Sequence, residues 1–166
     1  MIRTFLLVSA AAALSATGLG AKDGEPALSG YVGKYVFDEV SGTKFLNHKS
    51  VRMGVLKNAP SALQERVLGN AVSSPIKEHE GMVLYNGCQP RECADRNWSI
   101  AVSKDGQRAA ICHFEKGQSQ SNGWYVEGKR LMPVTQTCPS GRQPAVAANV
   151  IIHVTGKNPW ANLPEG

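Results

Sequence analysis

Beyond its first twenty or so residues, this chain of 166 residues has no apolar run long enough to span a bilayer, which takes about 20 apolar residues in succession. A helical membrane-spanning architecture is thereby excluded for the body of the chain. Lys and Arg never run for more than two residues, so the basic tract of a nucleic-acid or anionic-polymer binder is missing. None of His48, His79, His113 and His153 belongs to an HExxH pattern, and no nucleophile elbow is present. Hydrolase chemistry of those kinds is not signalled, and each His is read as a surface or satisfied neighbour. The cysteines form no CxxC pair, which argues against a thioredoxin-like redox site. Cys112-His113 stands without the further ligand spacing of a zinc site, so metal binding finds only weak support. There is no internal repeat.

What is present begins with an export signature. Met1-Ile2-Arg3 supplies a positive start, Phe5 to Val8 and Ala10 to Leu14 an apolar stretch, and Leu19-Gly20-Ala21 small residues before Lys22-Asp23. That order is the layout of a cleavable secretory signal over residues 1–21. No cysteine lies near the cleavage zone, so a lipid anchor is not indicated, and residues 22–166 are expected in the periplasm as one domain. The formal charge of +5 includes Arg3, the only charged residue of 1–21, which leaves 5 − 1 = +4 for the remainder. Such a balance could suit anionic wall polymers or a membrane surface, but with no Lys/Arg run longer than two a solvated basic surface is the preferred reading. Nucleic acid is a poor partner for an exported chain.

Cys88, Cys93, Cys112 and Cys138 all follow the signal, and an even count in an exported protein reads as two disulfides. Three pairings are open. Cys88 with Cys93 and Cys112 with Cys138 is preferred, because Cys88 and Cys93 flank a turn. The predicted organisation is α+β. Lys22 to Gly33 reads as a mobile start. Phe45 to Leu56 has helical spacing, and Pro60 suits the first turn of a second helix ending before Gly69. Strands are expected at Met82 to Tyr85, Trp98 to Val102, Ala109 to Phe114, Gly123 to Val126 and Arg130 to Met132, with Val146 to Val154 as a last strand. Asp105-Gly106 and Glu127-Gly128 mark hairpins. The result is an antiparallel sheet of about five strands with helices from the N-terminal third packed on it, and with Trp98 and Trp124 in its core.

The sharpest local feature is Cys88-Gln89-Pro90-Arg91-Glu92-Cys93. A bond between its cysteines forces the four residues between them to bulge as a tight loop, since the Cα atoms must lie about 4.4–6.8 Å apart. Pro90 removes further freedom. The loop would present Arg91 and Glu92, and its rigidity would reduce the entropy lost on docking.

This segment resembles the CKPHDC-type loop of the Ivy family, the periplasmic inhibitors of vertebrate lysozyme. The strand leading in, the strand leading out from Arg96, the strand order to Val154 and the end Thr155-Gly156-Lys157-Asn158-Pro159 are similar too. The resemblance implies an inhibitor rather than an enzyme, with no cofactor and no metal. It implies a loop that enters the target's substrate cleft, and it allows a homodimer. Cys88, Pro90 and Cys93 match the family's loop. Gln89 stands for Lys, Glu92 for Asp, and Arg91 for the central His that meets the catalytic carboxylates. A +4 chain is repelled at long range by strongly basic lysozymes. Either Glu92 and Asp95 make the loop face locally acidic, or the target differs, a lytic transglycosylase being the candidate. A glycan-binding module without inhibitory activity and an enzyme whose pocket the sequence does not reveal are the rival classes.

Overall fold

The structure, a computed structural model, describes residues 24–69, 71–140 and 146–157. The export signal expected over residues 1–21, together with Lys22, Asp23 and Asn158-Pro159, lies outside the described residues. In chain order the elements are β1 (Glu39–Val40), β2 (Thr43–Lys44), α1 (Lys49–Asn58), α2 (Ser61–Leu68), β3 (Val72–Ser73) and β4 (Lys77–His79). There follow β5 (Met82–Cys88), β6 (Arg96–Ser103), β7 (Ala109–Glu115), β8 (Gly123–Val126), β9 (Lys129–Pro133) and α3 (Ala148–Thr155). The main sheet is antiparallel, in the order β3-β5-β6-β7-β8-β9, with β4 also pairing β5.

The central strands carry apolar side chains on both faces, because successive residues of a strand point to opposite sides. Val83, Tyr85, Trp98, Ile100, Val102, Ala109 and Ile111 pack with Val51 and Val55 of α1 and Val67 of α2. Met82, Leu84, Ala101, Ala110 and Cys112 pack on the other side with Trp124 and with Val150, Ile151 and Val154 of α3. Strands covered on both faces read as nearly continuous apolar runs, as these do. Trp98 and Trp124 are both core residues.

The expected hairpins are in place. Gly106 takes φ +72° after β6, and Asp105 Oδ1 accepts from the Ser103 hydroxyl and from the Gln107 amide. Those bonds hold the Asp105 carboxyl below its ordinary range. Glu127 and Gly128 both have positive φ (51° and 73°), the requirement of a two-residue type I′ turn. The end of α1 docks on this turn: Asn58 Oδ1 accepts from the Glu127 amide and the Asn58 carbonyl from that of Gly128.

Several expectations are corrected. The sheet has seven strands rather than about five, because β3 and β4, only two and three residues long, add to β5. Residues 146–154 do not form a last strand: Ala148–Thr155 is helical. Its β-branched run favours strand locally, but Val150, Ile151 and Val154 fall on one helical face while Ile152 stays exposed. Gly156 closes the helix in the left-handed region (φ 70°), its amide donating to the Ile152 carbonyl. The segment to Gly33 is not free either. Leu28 and Tyr31 are buried, the Tyr31 hydroxyl donates to the Thr43 carbonyl, and the buried His48 ring bonds the Pro26 carbonyl through Nε2. His48 Nδ1 accepts from the Ser50 amide and so caps α1. Helix Phe45 to Leu56 begins as a 3-10 turn over Phe45–Asn47, and Pro60 caps α2 with extended backbone rather than sitting inside its first turn.

Gly87, next to Cys88, has no room for a side chain. A Cβ there would overlap the Tyr85 hydroxyl and lie 2.9 Å from Trp98 Nε1. Gly87→Ala is expected to lower unfolding free energy by about 1–3 kcal/mol through overpacking, read from urea denaturation. A stability equal to that of the unaltered protein would contradict this packing.

Candidate functional site

The β5–β6 register ends with Cys88 opposite Asn97, and the chain between them leaves the sheet as a loop. Cys88 and Cys93 are bonded across a Cα separation of 4.8 Å, and Cys112 and Cys138 across 5.8 Å. Both disulfides are therefore those preferred from the sequence. Within the loop the Glu92 amide donates to the Gln89 carbonyl at 3.0 Å, closing a four-residue turn with Pro90 second and Arg91 third. Arg91 has φ +67°. Pro second and a positive φ third is the type II arrangement, whose third position favours Gly or Asn. Arg there strains the backbone, a cost of order 1 kcal/mol or more. Residues 89–95 are all exposed.

The charges around the loop separate into paired groups and one unpaired group. Glu92 turns back to Arg96 at 3.3 Å, and Asp95 pairs Lys116 at 3.3 Å. Arg96 Nε donates to Glu115 at 3.0 Å, and Arg66 of α2 donates to the other Glu115 oxygen at 2.9 Å. Arg91 forms no hydrogen bond or ion pair among the described residues. Arg91 and Glu92 are thus both at the tip, but only Arg91 is unpaired there. With Glu92 and Asp95 each paired to a cation, the loop face is not the acidic surface considered from the sequence.

Asn97 ties the loop base to the second disulfide. Buried on β6, its Nδ2 donates to the Cys93 carbonyl at 2.9 Å and its Oδ1 accepts from the Cys138 amide at 2.8 Å. The neighbouring Ser99 hydroxyl donates to the Pro139 carbonyl. His113, also buried, takes a hydrogen bond from Arg66 at Nε2 (3.2 Å), which places its own proton on Nδ1. Burial foremost, and then the Arg66 charge, hold the His113 imidazole below its ordinary 6.5, against the Ser121 backbone and Glu115. Burial pushes Glu115 upward, but the Arg66 hydrogen bond and the Arg66 and Arg96 charges outweigh it and keep the carboxyl below 4.5.

Beside the loop lies a cleft of about 630 Å³. The disulfide Cys88–Cys93 forms part of one wall, and Tyr35 and Val72–Pro75 form another. The two segments of that wall are joined by the Gly33 and Ile76 amides, which donate to the Ile76 and Lys34 carbonyls respectively. The Ser73 and Ser74 hydroxyls are buried without a partner among the described residues, each costing about 1–3 kcal/mol. Tyr35 stacks on Phe37 with ring centroids 5.3 Å apart, and both rings are substantially exposed, Phe37 at 62%. No group of three or more His, Cys, Asp or Glu able to hold a metal occurs among the described residues.

Sequence reasoning reached the loop and missed what holds it. Asn97 and Ser99 are polar residues at alternate positions of a strand that is otherwise buried, and that pattern is the signal that could have found them. Arg66, Tyr35 and the two serines carry no comparable local mark. No family model matches the chain, and no curated protein or solved structure matches it either.

Asn97→Ala would leave the buried Cys138 amide unpaired. It is expected to destabilise by about 1–3 kcal/mol and to raise amide exchange at Cys138, measured by hydrogen exchange. His113 and Glu115 both bind fewer protons folded than unfolded, so their stabilisation is complete above the unfolded pKa values and is lost as pH falls. The urea midpoint should therefore begin to drop near pH 6.5 through His113 and drop again below 4.5 through Glu115. His113→Asn should remove the first phase and keep the second. A midpoint that stays level between about pH 7 and 5 would contradict the neutral buried ring.

Proposed function

We propose that this chain is a periplasmic protein inhibitor of muramidases, acting by inserting its Cys88–Cys93 loop into the glycan cleft of the target. The observation that carries the reading is Arg91: a single unpaired cation at the turn of a disulfide-closed loop whose other charges are paired. A retaining muramidase presents two carboxyls about 5–5.5 Å apart at the bottom of its cleft. A guanidinium remains charged at all working pH values and can donate two parallel hydrogen bonds to a carboxylate. Ring closure, Pro90 and the Gln89–Glu92 turn fix the loop before contact, so little conformational entropy remains to be lost. The CQPREC segment's likeness to the Ivy-family loop supports the same reading, and so does the signal-like N-terminus.

A lytic transglycosylase is favoured over a strongly basic lysozyme as target by one observation. Glu92 and Asp95 are committed to Arg96 and Lys116, so the loop face has no unpaired acid to offset the repulsion between two basic proteins. The chemistry asked of Arg91 is unchanged, because a lytic transglycosylase also works through a carboxylate in a glycan cleft.

The test is inhibition of a c-type lysozyme, a g-type lysozyme and a lytic transglycosylase by the protein lacking residues 1–21. Arg91→Gly removes the guanidinium while relieving the positive-φ strain, so lost activity cannot be blamed on folding. Inhibition should weaken about 10- to 100-fold, the worth of a charged hydrogen-bonded contact. Cys88→Ser with Cys93→Ser should weaken it by freeing the loop. Failure to inhibit any of the three enzymes, or full potency in Arg91→Gly, would sink the reading.

A further inference from the structure

We propose that the cleft beside the loop is a binding site for an acidic saccharide, a sugar unit bearing hydroxyl, amide and carboxylate groups. Arg91 takes no part in it, so the site stands apart from the inhibitor reading. The volume of about 630 Å³ lies within the range of roughly 300–1,000 Å³ usual for small-ligand sites.

The lining selects the ligand class. Among the described residues Lys77 is the only charged residue lining the cleft and forms no ion pair, and no Asp or Glu lines it. A cation with no acid beside it suits a carboxylate. Most of the remaining polar lining is hydroxyl and carboxamide, including Ser73, Ser74, Thr137 and Asn86, whose Nδ2 already donates to the Trp98 carbonyl and the Ser99 hydroxyl and which therefore offers a sugar only its oxygen. The hydroxyls of Ser73 and Ser74, buried within residues that line the cleft, have no hydrogen-bond partner among the described residues. Tyr35 provides a flat apolar face at the rim, and Phe37, stacked on it at an interplanar angle of 5°, holds that ring in place. The Tyr35 and Phe37 rings belong to neither core and remain exposed, which leaves the Tyr35 ring accessible to a ligand. An extended peptide is a poorer occupant, because β3 beside the cleft offers only Val72–Ser73 as an edge for strand addition.

The experiment is an amide-resolved NMR titration of the protein lacking residues 1–21. The probes are the disaccharide of N-acetylglucosamine and N-acetylmuramic acid and, in parallel, the neutral disaccharide chitobiose. Saturable shifts at Tyr35, Ser73, Ser74 and Lys77 are expected with the acidic sugar. Lys77→Gln, an exposed and structurally neutral change, should weaken binding about fivefold, the upper end for an exposed ion pair. Chitobiose should bind the unaltered protein more weakly by a similar factor. Tyr35→Ala should abolish binding while the urea midpoint stays within error of the unaltered protein's. No saturable shift at millimolar sugar overturns the site, and equal affinity for chitobiose or an unaffected Lys77→Gln overturns the acidic class. Sugar binding by an unaltered protein that inhibits none of the three enzymes would leave this site standing while the inhibitor reading falls. Inhibition without sugar binding would do the reverse.

Discussion

Strand β6 is covered on both faces from Asn97 to Ser103, so every polar group it carries must find a partner inside the protein. The Asn97 carboxamide meets that demand by bonding the Cys93 carbonyl and the Cys138 amide, two points 45 residues apart (138 − 93 = 45). Ser99 does the same toward Pro139. The bonds to Cys138 and Pro139 are buried, so no water takes the place of one that breaks, and the loop base and the segment after β9 are held in a single arrangement. What projects from the end of the sheet is therefore positioned by its interior.

The loop adds its own restraint to that base. The disulfide limits the span, Pro90 and the Gln89–Glu92 turn set the path, and the Glu92–Arg96–Glu115–Arg66 chain connects it to α2. Exposed ion pairs are individually weak, but Glu115 is only 18% exposed and receives two guanidinium groups, which makes the centre of the chain the stronger part. Arg91 is left out of this arrangement, in a backbone conformation that glycine would adopt more easily. A residue that adds strain and forms no hydrogen bond or ion pair among the described residues contributes nothing of that kind to holding the fold together.

The sequence made the sheet readable where a side chain's environment alternates with chain position. Trp98 to Val102 and Ala109 to Phe114 could be placed because each strand's partner follows a tight turn marked by Gly. The disulfide loop was readable for the same reason, since both of its cysteines lie within one hairpin. Residues 148–155 were not readable as helix, because Val150, Ile151, Ile152 and Val154 satisfy strand propensity locally and only burial against Met82, Leu84 and Ala110 decides otherwise. Asn97, Arg66 and the cleft depend on contacts across 41, 49 and more residues, and no local pattern encodes them.

The two disulfides also differ in how far the chain must travel to make them: 5 residues separate one pair and 26 the other. Closing a short loop takes less chain entropy than closing a long one, and Cys88 and Cys93 can meet across a single turn before any sheet exists. Cys112 and Cys138 meet only when β7 and the segment beyond β9 have come together against Trp124. Under oxidising conditions, early closure of the short ring removes two of the four thiols from circulation. Of the three possible pairings one remains, so the order of oxidation itself guards the long-range bond against mispairing.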